Sequence, residues 1–155
     1  SKGVDVKSVR KSTNTFDCLR EIVSILQGPK GCSWDKEQDH SSLRHNFLEE
    51  CYEVLEALDS RNNEKIAEEL GDVLTQIAFH VQIAIEKSEF SWSDLLETAN
   101  KKLLDRHPHV FGSAEVKNSQ EVEKNWNKIK KLENFPKDLS KELAWQQPLF
   151  IILKF

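Results

Sequence analysis

The sequence predicts an all-α protein, an antiparallel bundle of about five helices, and three observations carry that expectation. Apolar residues recur at intervals of three and four between the breaks, as one face of a helix requires. The breaks are few: 5 glycines and 4 prolines, most of them gathered around 28–31 and 108–112, with single prolines at 136 and 148. No stretch alternates apolar and polar residues as a half-covered strand would. At 155 residues the chain is long enough for one domain with a real core.

Taken in order, residues 1–12 (SKGVDVKSVRKS) are polar and are expected to fray, leaving a folded domain over 13–134. Phe16, Leu19, Ile22, Val23 and Leu26 form the stripe of a first helix that stops near Gln27, before Gly28. Ser41 or Ser42 can cap a second, striped by Leu43, Phe47, Cys51, Val54, Leu55 and Leu58. A polar turn over Asp59 to Asn63 leads to a long third helix from about Glu64 to Lys87. Its apolar side is Ile66, Leu70, Val73, Leu74, Ile77, Val81 and Ile85. Ser91 with Asp94 resembles a capping box for a fourth helix through Leu95, Leu96, Ala99 and Leu103. A short polar fifth runs from Ser119 to Glu133. Residues 135–155 form a tail ending in LFIILKF, six of whose seven residues are apolar. That end must pack on the body, pack on another subunit or remain exposed and sticky.

Composition removes several functions. With 22 Lys and Arg against 26 Asp and Glu, the net charge of −4 makes the chain a poor candidate for a general nucleic-acid binder, which would need a basic face. No apolar run approaches the roughly 18 residues of a membrane span, and no signal-peptide core opens the chain. Cys18, Cys32 and Cys51 are odd in number and widely spaced, which is neither a disulfide framework nor a zinc knuckle. A cytoplasmic protein with reduced thiols is expected.

The chemistry lies in two acidic runs, Glu49-Glu50-Cys51-Tyr52-Glu53 on the second helix and Glu68-Glu69-Leu70-Gly71-Asp72 on the third. Residues three apart on a helix are displaced by about 4.5 Å along the axis and about 60° around it. Glu50 therefore shares a face with Glu53, and Glu69 with Asp72, each pair bordering its apolar stripe. A helical hairpin would bring the two pairs together. Two unit charges about 5 Å apart at an effective dielectric near 20 repel by about 3 kcal/mol, so such a cluster needs protons or a cation. Carboxylates without His or Cys are hard ligands that suit Mg²⁺, with Mn²⁺ also possible, and magnesium held this way works on phosphates. Glutamate is also an ordinary helix former on solvated faces, and spacing alone leaves both readings open. A di-iron bundle needs Glu-x-x-His on two helices; here only Glu37 and His40 have that spacing, beside a loop.

The order GCSWDKEQDH, LEECYEVLEAL, EELGDVL, KLLDRHPHVFG and NWNKIKKLE, from Phe16 to Glu133, resembles the MazG family of all-α nucleoside triphosphate pyrophosphohydrolases. The resemblance implies that Glu50, Glu53, Glu69 and Asp72 hold Mg²⁺, that Lys102 and Arg106 contact the triphosphate, and that Trp126 contacts the nucleotide. Lys102 and Arg106 are i, i+4, so both cations point the same way, and Arg can fork onto two phosphate oxygens. Trp126 offers a face on which any base can stack, and Trp34 can line the pocket wall. Near a helix end, the two cations also complement the dipole. His107 and His109 are too few for a zinc site and are expected to anchor their loop, while His40, His45 and His80 read as satisfied structural histidines. The chain departs from the family at Ser33, where Pro is usual, and at Asp105, where a second Arg is usual.

The activity implied is hydrolysis at the α-phosphorus to nucleoside monophosphate and pyrophosphate, broad in base, with Glu49 or Glu53 taking the proton of the attacking water. A homodimer is also implied, because in this fold a neighbouring subunit completes the nucleotide pocket. Two readings compete. One is a pyrophosphohydrolase of the same fold with a single narrow substrate, such as dUTP, dCTP or phosphoribosyl-ATP. The other is a non-catalytic helical module with solvated acidic faces and a docking tail. The Trp-Asp loop and the His-Pro-His segment favour the broad enzyme.

Overall fold

A computed structural model describes residues 13–133, and every regular element among them is helical. Residues 1–12, expected to fray, and the 135–155 tail lie outside the described residues. The chain divides into two compact units, the first ending at Leu95 and the second beginning at Leu96.

The first unit opens with α1 (Phe16–Gln27), whose N-terminus is closed by Thr15: the side-chain oxygen accepts from the Cys18 N–H at 3.2 Å. Gly28 ends the helix, its N–H returning to the Ile25 carbonyl. The chain then folds back so tightly that a Cβ on Gly31 would stand 2.0 Å from the Leu26 carbonyl oxygen, so only glycine fits there. A loop was expected at the Trp-Asp stretch; one turn of helix, α2 (Ser33–Lys36), stands there instead. It buries Asp35 and packs against α1.

Helix α3 (Arg44–Ser60) begins later than its serines suggested. Leu43 is the capping position and makes no side-chain cap bond. Ser41 and Ser42 instead belong to the preceding turn, where the Asp39 carboxylate accepts both of their N–H groups at 2.9 and 2.8 Å. Aspartate is the better acceptor for such a turn, and it takes the role the serines were expected to play. Arg61 then adopts a left-handed conformation (φ 56°) to close α3, and Asn62 caps α4 (Asn63–Glu86), accepting from Glu64 and Lys65. With two residues between them, α3 and α4 pack along each other as a helical hairpin. Helix α1 lies on α4, and Val23, Ala78, Val81 and Trp92 form the core between them, flanked by Leu19, Ile77, Phe79 and Leu95.

Helix α5 (Trp92–Arg106) starts in the first unit and continues into the second. Its capping box is present: the Asp94 carboxylate accepts from the Ser91 N–H and hydroxyl at 2.8 and 2.6 Å, while the Ser91 oxygen accepts from the Asp94 N–H. The second unit then contains α6 (Pro108–Phe111), a single turn with proline at its first position, and α7 (Ser119–Leu132), capped by Asn118. The two one-turn helices, α2 and α6, account for seven elements where about five were expected.

The stripes are incompletely covered. Leu55, Leu58, Leu70 and Leu74, all read from periodicity as core, are 38–51% exposed. Helical spacing reports which face wants burial; it does not say whether the same chain supplies the cover.

Candidate functional site

The α3–α4 hairpin does what the two acidic runs require. Glu50 from α3 and Glu69 and Asp72 from α4 each offer a carboxylate oxygen, and these oxygens all lie within 4.8 Å of one another. Their environments differ. Glu69 is buried, Glu50 half-buried and Asp72 exposed, so the cluster runs from the helix interface out to solvent. Gly71 lies between Glu69 and Asp72 in sequence, and nothing stands within 4 Å of where its Cβ would be.

The charges are short of compensation. Burial pushes the Glu50 carboxyl above its ordinary range, and Asp72, Glu53 and Glu49 add repulsion in that order. Glu69 is raised as well, first by burial, then by a hydrogen bond shared with Glu53 and by that residue's charge; Lys65 opposes the shift. Three converging carboxylates without nitrogen or sulfur are the donor set of a hard divalent ion, and the excess negative charge fits one.

Glu53 is exposed on α3 and reaches the cluster through Glu69, while Glu49 is exposed and acts on it through its charge on Glu50. Trp34, on α2, is 54% exposed, its indole available to a ligand. The remaining sequence candidates belong to the second unit. Arg106 forms a bidentate ion pair with Glu133, its Nε donating to Oε1 at 3.1 Å and its Nη2 to Oε2 at 2.5 Å. Its guanidinium lies 5.1 Å from the Trp126 ring centroid. Lys102 is half-buried one turn before Arg106, and its charge also acts on Glu133. Asp105, at the position of a usual second Arg, pairs with Lys101 at 2.7 Å.

Two groupings escaped the sequence reading. Glu133 is one; it appeared only as the end of a polar helix, and a partner 27 positions away leaves no periodic trace. The other joins the turn before α3 to the C-terminal half of α4. His40 Nδ1 lies 2.8 Å from His80 Nδ1, and His40 Nε2 lies 3.0 Å from the Glu89 carboxylate. Phe47 and Phe90 flank the pair. Burial, then the His40 charge, hold His80 below the ordinary imidazole range. Both histidines are thus partnered, in keeping with a structural role. His107 anchors its segment, Nδ1 lying 2.7 Å from the Leu103 carbonyl oxygen, and its ring stands 5.7 Å from that of His109.

Comparison with known proteins points to a nucleotide pyrophosphohydrolase domain. Residues 38–111 match the MazG nucleotide pyrophosphohydrolase domain. A protein of Bacillus subtilis named YabN and described as uncharacterized is 41% identical over 128 residues, covering 83% of this chain and 26% of that protein. A Thermotoga maritima protein named nucleoside triphosphate pyrophosphohydrolase/pyrophosphatase MazG is 50% identical over 99 residues, 64% of this chain and 39% of that one. The nucleoside triphosphate pyrophosphohydrolase of Escherichia coli K12 is 41% identical over 118 residues, with coverage of 76% and 45%. The chain therefore spans less than half the length of each of these relatives.

Proposed function

We propose, from the match of residues 38–111 to the MazG nucleotide pyrophosphohydrolase domain, that the chain is a hydrolase that converts nucleoside triphosphates to nucleoside monophosphate and pyrophosphate, with magnesium and broad tolerance of the base. The observation that carries the proposal is the convergence of carboxylate oxygens from Glu50, Glu69 and Asp72 within 4.8 Å of one another. Glu53 joins them in the proposal as the fourth acidic residue of the site. Bound there, Mg²⁺ or Mn²⁺ would neutralise phosphate charge and acidify water.

The chain's own residues supply the rest. Arg106 presents a fork that matches two phosphate oxygens, and Lys102 adds a point charge. Trp126 and the exposed Trp34 offer flat faces on which purines and pyrimidines stack alike, which supports broad base tolerance. Hydrolysis forms a bond from water oxygen to the α-phosphorus and breaks the bond to the bridging oxygen, so pyrophosphate leaves. The water's proton goes to a carboxylate, Glu49 or Glu53, each exposed and each adjoining the cluster. The half-exposed leucines at 55, 58, 70 and 74 on the hairpin support self-association as a homodimer, since a monomer rarely leaves such a stripe in water. No described helix is long and apolar enough to cross a membrane, and a cytoplasmic setting fits the proposed substrates.

A panel of ribo- and deoxynucleoside triphosphates, assayed for pyrophosphate with Mg²⁺ and with chelator, tests the proposal. Release from several bases, dependent on the metal and lost in Glu53→Gln or Asp72→Asn with helical circular dichroism intact, is the expected result. Undiminished release in those variants, or none in wild type, would refute it.

A further inference from the structure

In the second unit the Glu133 carboxylate meets Arg106, which lies over the Trp126 ring. Glu133 takes two parallel hydrogen bonds from Arg106, and only 11% of the Arg106 side chain and 19% of the Glu133 side chain reach solvent. Lys102, one turn earlier on α5, adds its charge. The hydrogen bonds from Arg106, then its charge and that of Lys102, hold the Glu133 carboxyl below the ordinary range, so it stays ionised. The guanidinium in turn lies over Trp126, whose ring also meets the edge of His107 with centroids 5.0 Å apart.

The position of Glu133 is unusual for its own helix. It is the C-cap residue of α7, where free carbonyls and the negative end of the helix dipole disfavour a carboxylate. Lys130 and Lys131 in the last turn obey that rule, and Glu133 does not. Its place is explained across the unit, by Arg106 and Lys102, and not within α7. A carboxylate presents two oxygens in nearly the same spacing as two oxygens of a phosphate, which is why one Arg fork serves both. The fork is thus filled by an internal anion of the same kind that a polyphosphate would bring.

We propose that Glu133 is an internal competitor, holding Arg106 until a polyphosphate displaces it and thereby setting the affinity of the chain for triphosphates. The proposal rests on Lys102 and Arg106 being the phosphate contacts of the activity described above. Displacement is a straightforward exchange of anions. A triphosphate carries several negative charges against one, and Glu133, released at a helix end, gives up its two bonds from Arg106.

The test titrates inorganic tripolyphosphate, without divalent metal, into the wild-type chain, Glu133→Gln and Glu133→Ala by calorimetry. Removing one charge-assisted competitor should tighten binding about tenfold in both variants. In steady-state assays with Mg²⁺, the KM for nucleoside triphosphate should fall by a similar factor while kcat stays within about twofold. Weaker binding or a lower kcat in Glu133→Gln would overturn the proposal, because Glu133 would then be a strut that aims Arg106. Equal affinity, or no binding by any of the three proteins, would overturn it too. If Glu133→Ala loses helical circular dichroism, Glu133→Gln decides alone. Should wild type release no pyrophosphate from any nucleotide, the hydrolase reading fails, yet tighter tripolyphosphate binding by Glu133→Gln would still establish the competitor.

Discussion

Magnesium should stabilise this chain by an amount large enough to see in a simple melt, and one amide substitution should remove the effect. Glu50 and Glu69 both have carboxyls raised by burial and by neighbouring carboxylates. For a group whose folded pKa lies above its unfolded value, the folded state binds more protons across the window between the two. Stability therefore falls as pH rises through that window, and above it the full cost of the crowded charges is present. A divalent ion reverses the cost. At a concentration of 100 times its Kd, binding to the folded state alone adds about 2.7 kcal/mol. Roughly 120 structured residues at about 2.1 cal/mol/K each give an unfolding entropy near 0.25 kcal/mol/K, so Tm should rise by about 10 °C. Glu69→Gln should start with a higher Tm than wild type in chelator at pH 7.5, because the repulsion is relieved. It should then gain little from Mg²⁺. Glu56→Gln, an exposed residue on the same hairpin, should respond as wild type does. The measurement is differential scanning fluorimetry or calorimetry at fixed protein concentration. A wild-type Tm indifferent to Mg²⁺, or a Glu69→Gln Tm that still climbs by the full amount, would refute the reasoning.

Two further outcomes follow from other parts of the chain. His80 is held below the ordinary imidazole value of 6.5, so the unfolded state binds more protons just below that pH and stability should decline as pH falls through that window. The groups facing it are His40 and, through His40, Glu89; the wild-type decline in Tm from pH 7.5 to 5.5, measured with Mg²⁺ held constant, should be flatter in His80→Asn. Gly31→Ala places a methyl group 2.0 Å from the Leu26 carbonyl oxygen and 2.3 Å from that of Ile25, both backbone atoms that cannot step aside cheaply. Overpacking of that kind costs about 1–3 kcal/mol or more, and urea unfolding should show the midpoint shifted down with the slope unchanged.

The helices were legible because each one repeats a local rule many times. Phe16 through Leu26 and Ile66 through Ile85 each supply several apolar residues at helical spacing, and any one of them can be misread without losing the element. The short elements had no such redundancy. Ser33–Lys36 and Pro108–Phe111 are single turns, too brief to show a period, and proline at the start of the second reads equally as loop or as first helical position. The start of α3 was misplaced for a similar reason. Ser41, Ser42 and Asp39 are all competent acceptors, and only the three-dimensional turn decides which of them receives the free N–H groups.

The candidate site divides along the same physical line. Glu50 lies on one helix and Glu69 with Asp72 on the next, so their meeting requires only helical periodicity and a tight hairpin, both written locally. The Arg106–Glu133 pair requires α7 to return to α5 after α6 and an irregular stretch, and no local pattern encodes that. What sequence did contain was a misfit: a glutamate at the end of a helix whose last turn is otherwise basic. Helix dipoles make such a charge unfavourable by a few tenths to about 1 kcal/mol, a debt that some distant cation has to offset. A carboxylate at a C-terminus is therefore a signal to look for its cation elsewhere in the chain. Here that search would have led back to Lys102 and Arg106, the two residues already marked for a phosphate, and so to the question of what holds them before the phosphate arrives.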